Sequence, residues 1–162
     1  MCPRQASHSM IRQRTEALAL APFKAIAEEL GHEYTSGQNG ANRLPIQSNV
    51  YFQFGDLRVE LPSHTVLVEV ESAGGVTNLV KYWECIESKR TEKPIKLLHV
   101  FLQKSVSDYE AHLRLWSFLS AKMRESLGPN LEAQCSRAQG TSEASLAPAL
   151  AVFRGWLQED AT

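Results

Sequence analysis

The chain has 162 residues, 43% of them hydrophobic and 22% charged, the proportions of an ordinary soluble domain and enough chain for about one core. At this size roughly 70% of the unfolded surface can be buried, so folding needs neither a disulfide nor a metal staple. Lys and Arg number 17 against 18 Asp and Glu, a formal net charge of -1, which excludes a global basic footprint for nucleic acid and leaves room only for a local patch.

Residues 1–9 are polar and aperiodic and are expected to form a flexible terminus. Arg4, Arg12 and Arg14 have no apolar run behind them, and no apolar stretch reaches the ~20 residues of a membrane span, so neither a secretory leader nor a membrane segment is expected. Cys2, Cys85 and Cys135 form no CxxC pair, which points away from a disulfide framework or a zinc ribbon and fits a reducing cytoplasm.

Over residues 10–30, Leu18, Phe23, Ile26, Ala27 and Leu30 recur at helical spacing, with Pro22 expected to kink the helix or to start a second one and Gly31 to end it. Residues 32–44 carry Gly37, Asn39, Gly40 and Asn42 and read as a loop. The β-branched and aromatic run 50–54, the alternating run 57–61 and the run 65–71 predict three strands, the last two joined as an antiparallel hairpin by Pro62-Ser63-His64. Leu79, Tyr82, Trp83 and Ile86 predict a helix over 78–90, and residues 95–102 a strand buried on both faces. Ser107 and Glu110 form a capping-box pattern at the start of a helix reaching 127. Residues 128–142, rich in Gly, Ser, Gln, Asn and Pro, read as a linker, and 143–162 as a C-terminal helix, with Leu150, Phe153 and Trp156, on or near a core domain over 10–127. The predicted order is α-β-β-β-α-β-α plus the C-terminal helix, an α/β sandwich on a four-stranded mixed sheet.

Side-chain alternation puts Leu67, Glu69 and Glu71 on one face of the third strand and Val66, Val68 and Val70 on the other. The hairpin brings Asp56 to the level of Glu69 to Glu71, so three carboxylates converge at one end of the sheet. A hard cation such as Mg²⁺ takes one or two carboxylates and completes its shell with water or phosphate, which makes Asp56 and Glu69 candidate ligands and metal-assisted phosphodiester hydrolysis a candidate reaction. The competing reading is a solvated strand face with Asp56 as a turn residue.

The segments Gly55-Asp56-Leu57, Val66-Leu67-Val68-Glu69-Val70-Glu71 and Asn78-Leu79-Val80-Lys81-Tyr82-Trp83 resemble the active-site hairpin and following helix of the PD-(D/E)XK nuclease superfamily, the restriction-endonuclease-like fold. The resemblance spans about residues 10–127 and includes the α-β-β-β-α-β order. It implies Mg²⁺ or Mn²⁺ at Asp56 and Glu69, an assisting acid on the first helix (Glu16, Glu28 or Glu29), and DNA rather than RNA as substrate. Glu71 stands where the family usually has a Lys. That departure implies either a Glu that helps to bind metal or activate water, or a Lys that has migrated to the next helix, for which Lys81 is the candidate, or a fold that has lost catalysis and binds nucleic acid or a protein partner. A homo-oligomer is compatible with any of these.

Other residues point to structure. His32, His64 and His99 lack ligand spacing to one another, and His99, inside a buried strand, reads as a hydrogen-bonded core residue. Cys85 reads as a small hydrophobe, Gly74-Gly75 as a strand-to-helix turn with only a faint likeness to a phosphate cradle, the basic run 88–93 as a helix C-terminus, and Trp116 and Trp156 as core or partner-facing. Specificity, if the protein cuts specifically, would come from loops such as 32–44 or from partner chains.

Overall fold

The computed structural model describes residues 3–37, 41–72, 78–103 and 110–159, with side chains from residue 14 onward. In chain order the elements are α1 (Pro3–Glu29), β1 (Tyr34–Ser36), β2 (Arg43–Gln47), β3 (Val50–Gln53), β4 (Leu57–Glu60), β5 (Thr65–Glu71), α2 (Asn78–Glu87), β6 (Ile95–Leu102), α3 (Glu110–Leu127), a 3-10 turn (Gly128–Asn130), β7 (Leu131–Ala138) and α4 (Glu143–Gln158). The Gly74-Gly75 turn and the Ser107 end of the capping box lie outside the described residues.

The main sheet runs β1-β4-β5-β6-β7, with antiparallel pairing at β1-β4 and β4-β5 and parallel pairing at β5-β6 and β6-β7. The parallel steps need crossovers, and α2 and α3 supply them. One core lies between the sheet and α1 and α4, and contains Phe23, Leu57, Val66, Val68, Val70, Leu98 and Phe153. The other lies under α2 and α3, and contains Leu67, Leu79, Tyr82, Leu97, Phe101, Trp116 and Met123. The α/β sandwich with helices on both faces is therefore present.

The sheet has five strands rather than four, and two of its members differ from expectation. The run 50–54 does not join it: β3 pairs only with β2, as a separate antiparallel hairpin. Its place beside β4 is taken by β1, a three-residue strand inside the segment read as a loop. At the other edge, the segment read as a linker contains β7, which pairs along its whole length with β6. β7 has an edge strand's mixed pattern, with Leu131, Ala133 and Ala138 buried and Glu132, Gln134 and Cys135 exposed, so its composition resembles that of a loop. α1 also extends further than expected: it starts at Pro3, covering most of the terminus read as flexible, and contains Pro22. α4 packs into the first core through Phe153, which meets Phe23 edge-on at 5.4 Å between ring centres.

Candidate active site

All seven residues of β5 are buried, because it is the central strand with helices on both faces. Glu69 is 4% exposed and Glu71 3%, which removes the solvated-strand reading. Both share the face of Leu67, toward α2 and α3.

The β4-β5 register pairs Leu57 with Val68, so the residue before β4, Asp56, falls opposite Glu69. The Asp56 N–H donates to the Val68 carbonyl at 2.9 Å, and its Oδ2 accepts the Val70 N–H at 2.8 Å. The carboxylate thus continues the ladder where the strand itself stops. Gly55 makes this entry possible: its φ is +84°, and a Cβ there would lie 3.0 Å from the Leu57 carbonyl oxygen and 3.1 Å from Leu67 Cδ2. Asp56 sits in an unfavourable place for a charge. Burial, reinforced by the negative charges of Glu69 and Glu16, raises its carboxyl to about 7 against the opposing Val70 hydrogen bond and the Lys81 charge.

Glu69 is held from α2. Its Oε1 accepts from Lys81 Nζ and from the Tyr82 hydroxyl, and the Lys81 and Glu69 side chains are only 12% and 5% exposed. Leu79, Tyr82 and Ile86 form the buried stripe of α2, so Lys81 leaves the helix on its flank and reaches back over the sheet end. The Tyr82 oxygen also takes the Gly55 N–H, and burial beside Glu69 drives its ionisation well above the ordinary tyrosine range. Gly55, Glu69 and Tyr82, all buried, thus form one connected cluster with the half-buried Asp56 and Lys81.

Of the three acids considered on α1, Glu16 belongs here. It accepts from Ser72 Oγ at 2.7 Å, directly after β5, and its charge acts on Asp56. Glu28 instead accepts from the Tyr34 hydroxyl at 2.7 Å, and Glu29 holds Arg154 through two bonds of 2.8 and 2.6 Å. Glu71 lies two residues beyond Glu69 on the same strand face, a step of roughly 7 Å.

The remaining candidates are structural. His99 stands beside Glu69 in the parallel register, is fully buried and stacks on Phe101 at 4.3 Å. Its Nδ1 accepts the Trp116 indole N–H at 3.1 Å, and burial aided by the Lys81 charge depresses it to about 3, so it stays neutral with its proton on Nε2. His32 bonds the Leu157 carbonyl at 3.1 Å and His64 bonds Ser63 at 2.7 Å, each in a separate loop. Burial and Glu84 push the Cys85 thiol up to about 12, consistent with inert packing. In the basic run, Arg90 bonds Glu84 and the Ile46 carbonyl, and Lys93 the Leu61 carbonyl.

Tyr82 is the site residue that sequence reasoning missed, since it counts there as part of an apolar stripe and of the segment 78–83 but is given no role; a phenol at helical spacing beside Lys81 carried the available signal. Among the described residues no group of three or more His, Cys, Asp or Glu side chains is spaced to hold a metal ion, but Mg²⁺ requires only one or two carboxylates. Asp56 and Glu69 fit that demand. They are neighbouring acids, Asp56 half-buried and Glu69 buried, and the Asp56 carboxyl is raised by burial first and by the Glu69 charge second, a charge that a dication would offset. No helix among the described residues is long and apolar enough to cross a membrane. Comparison of the chain with family models, with curated proteins and with solved structures finds no significant match.

Proposed function

We propose that the chain is a Mg²⁺- or Mn²⁺-dependent phosphodiesterase with a restriction-endonuclease-like core, hydrolysing DNA in preference to RNA. The observation that carries the reading is the half-buried Asp56 beside the buried Glu69, with Lys81 on Glu69, at β5, the strand that pairs antiparallel with β4 and parallel with β6. The order of α1, the antiparallel strands, α2 and β6 supports the fold assignment.

A divalent cation at such a pair supplies Lewis-acid stabilisation of phosphoryl oxygens and a more acidic water. Asp56 and Glu69 would hold it, with Glu71 assisting in binding metal or activating water and Glu16 contributing from α1. Tyr82 and the Gly55 N–H fix the Glu69 carboxylate, so that it need not reorganise. Lys81 presents its ammonium to negative charge developing on the transferring phosphoryl group, the role left vacant by Glu71 in the usual Lys position. A preorganised cation of this kind is worth ~10²- to 10³-fold in rate.

A second reading, a catalytically inactive module that binds nucleic acid or a protein partner, is favoured by Glu71 and by the double occupancy of Glu69 Oε1. One experiment separates the two. Plasmid, single-stranded and branched DNA are incubated with the protein in Mg²⁺ or Mn²⁺, beside Asp56→Ala and Lys81→Ala. Cleavage by wild type alone, with folded variants verified by circular dichroism, supports the enzyme; no cleavage of any substrate refutes it.

A further inference from the structure

The β2-β3 hairpin has no place in the main sheet, and its two faces differ. Leu44 and Phe52, paired in register, pack against the core under α2 and α3. The opposite face carries Arg43, Pro45 and Tyr51, all exposed, with the Arg43 guanidinium 4.1 Å from the centre of the Tyr51 ring. At the tip, Gln47, Ser48, Asn49 and Val50 are exposed around a two-residue turn in which Asn49 takes φ 60°. From Tyr34 to Gly55 the sequence contains no Asp or Glu, although it holds Gln38, Asn39, Asn42, Gln47, Asn49 and Gln53.

This hairpin is wired to the candidate catalytic acid. Asn42, fully buried, donates to the carbonyls of Gly55 at 3.1 Å and Thr35 at 3.2 Å, and its own carbonyl takes the Phe54 N–H at 2.7 Å. Gln53 also donates to the Gly55 carbonyl at 3.1 Å, and Gly37 donates its N–H to the Asp56 carbonyl at 2.7 Å. Arg90 holds the far end of β2 through the Ile46 carbonyl. The outward face is therefore held at a set position relative to Asp56.

We propose that the β2-β3 hairpin is a duplex-DNA reading element, inserted in a groove with Arg43, Tyr51 and the amides of its tip toward the bases and backbone. This rests on the nucleic-acid reading above and adds the part that recognises the substrate. Four observations support it. The hairpin is a two-stranded antiparallel ribbon, five residues of β2 against four of β3, and a major groove about 12 Å wide admits such ribbons. Arg, Asn and Gln are the side chains whose planar donor sets match base edges. The acid-free stretch removes repulsion from phosphates, and it does so locally in a chain with net charge -1. Arg43 resting on Tyr51 is preorganised, so less side-chain freedom is lost on binding.

The test uses the full chain with Arg43→Ala, Arg43→Lys, Tyr51→Ala and Gln47→Ala/Asn49→Ala, all at exposed positions. Fluorescence anisotropy with labelled duplexes, in Ca²⁺ so that binding is read apart from cleavage, measures affinity; selection from a randomised duplex pool measures base preference. Arg43→Ala and Tyr51→Ala are expected to weaken duplex binding by ~10- to 100-fold. The tip variant should flatten base preference, and Arg43→Lys should restore the charge-dependent part of the affinity without the preference. Wild-type duplex binding that all four variants retain, with unchanged preference, overturns the hairpin assignment and leaves the phosphodiesterase reading standing. Duplex binding through the hairpin without cleavage in Mg²⁺ or Mn²⁺ supports the assignment and removes the enzyme. Affinity lost only for single-stranded DNA or for RNA overturns the duplex assignment, and no nucleic-acid binding by wild type overturns both.

Discussion

The substitution Asp56→Asn tests the electrostatics of the site without requiring a known substrate. The folded chain holds a proton on Asp56 up to about 7, whereas the ordinary value for the carboxyl is 3.8. Between those limits the native state binds the extra proton, so stability falls as pH rises through the window and the loss is complete above the folded value. A difference of about three pH units corresponds to ~4 kcal/mol. The amide introduced by Asp56→Asn would retain an acceptor for the Val70 N–H, which lies 2.8 Å from the Asp56 carboxylate, while removing the charge that burial and Glu69 oppose. In metal-free buffer the Asp56→Asn variant should therefore match wild type near pH 4, exceed it by a few kcal/mol near pH 8, and show a flatter profile between. Urea unfolding across that range measures this directly. Adding Mg²⁺ near pH 8 should restabilise wild type, by an amount that grows with the ratio of free metal to Kd, and leave the variant unmoved. Parallel wild-type and variant profiles would refute the reasoning, since Asp56 would then be ionised throughout.

Tyr82→Phe removes the hydroxyl that donates to Glu69 and accepts from Gly55; a loss of ~1–3 kcal/mol in urea unfolding is expected from the groups left unpaired. Gly37→Ala sets a Cβ 2.9 Å from the Gly55 carbonyl oxygen and 2.4 Å from Gln53 Nε2. The Gln53 amide can swing away but the backbone cannot, so ~1–3 kcal/mol of stability should be lost together with Mg²⁺ affinity, read by calorimetric titration. Phe153→Ala empties a fully buried position against Phe23, and thermal or urea unfolding should lose ~3–5 kcal/mol in one transition if α4 belongs to the same cooperative core. Glu69→Gln keeps the Tyr82 hydrogen bond but removes the charge partner of Lys81, so weakened Mg²⁺ binding is expected, and unchanged binding would take Glu69 out of the site.

Local pattern in the chain determined the parts of the fold that depend on local geometry. The period of two from Leu57 to Glu71 puts Glu69 and Glu71 on one face, and the short turn at Pro62-Ser63-His64 sets the antiparallel pairing that brings Asp56 opposite Glu69. The helical spacing of Leu79, Tyr82 and Ile86 likewise places Lys81 on the flank of α2. Partner choice is a long-range matter that such periods do not encode. The run 50–54 has the composition of a sheet strand, yet β3 pairs with β2, and β1 takes the edge beside β4 from within a Gly- and Asn-rich segment. β7 is recognisable as a strand only because β6 supplies its hydrogen bonds; as a solvent-facing edge it needs no run of apolar residues. Tertiary packing also decided that Glu16, rather than Glu28 or Glu29, acts on Asp56, because only the three-dimensional course of α1 across the sheet selects one of three acids on the same helix. The burial of Glu69 was decided in the same way: alternation with valine describes a half-exposed strand equally well, and only the packing of α2, with Lys81 and Tyr82 on its carboxylate, turns that face into an enclosed charged site.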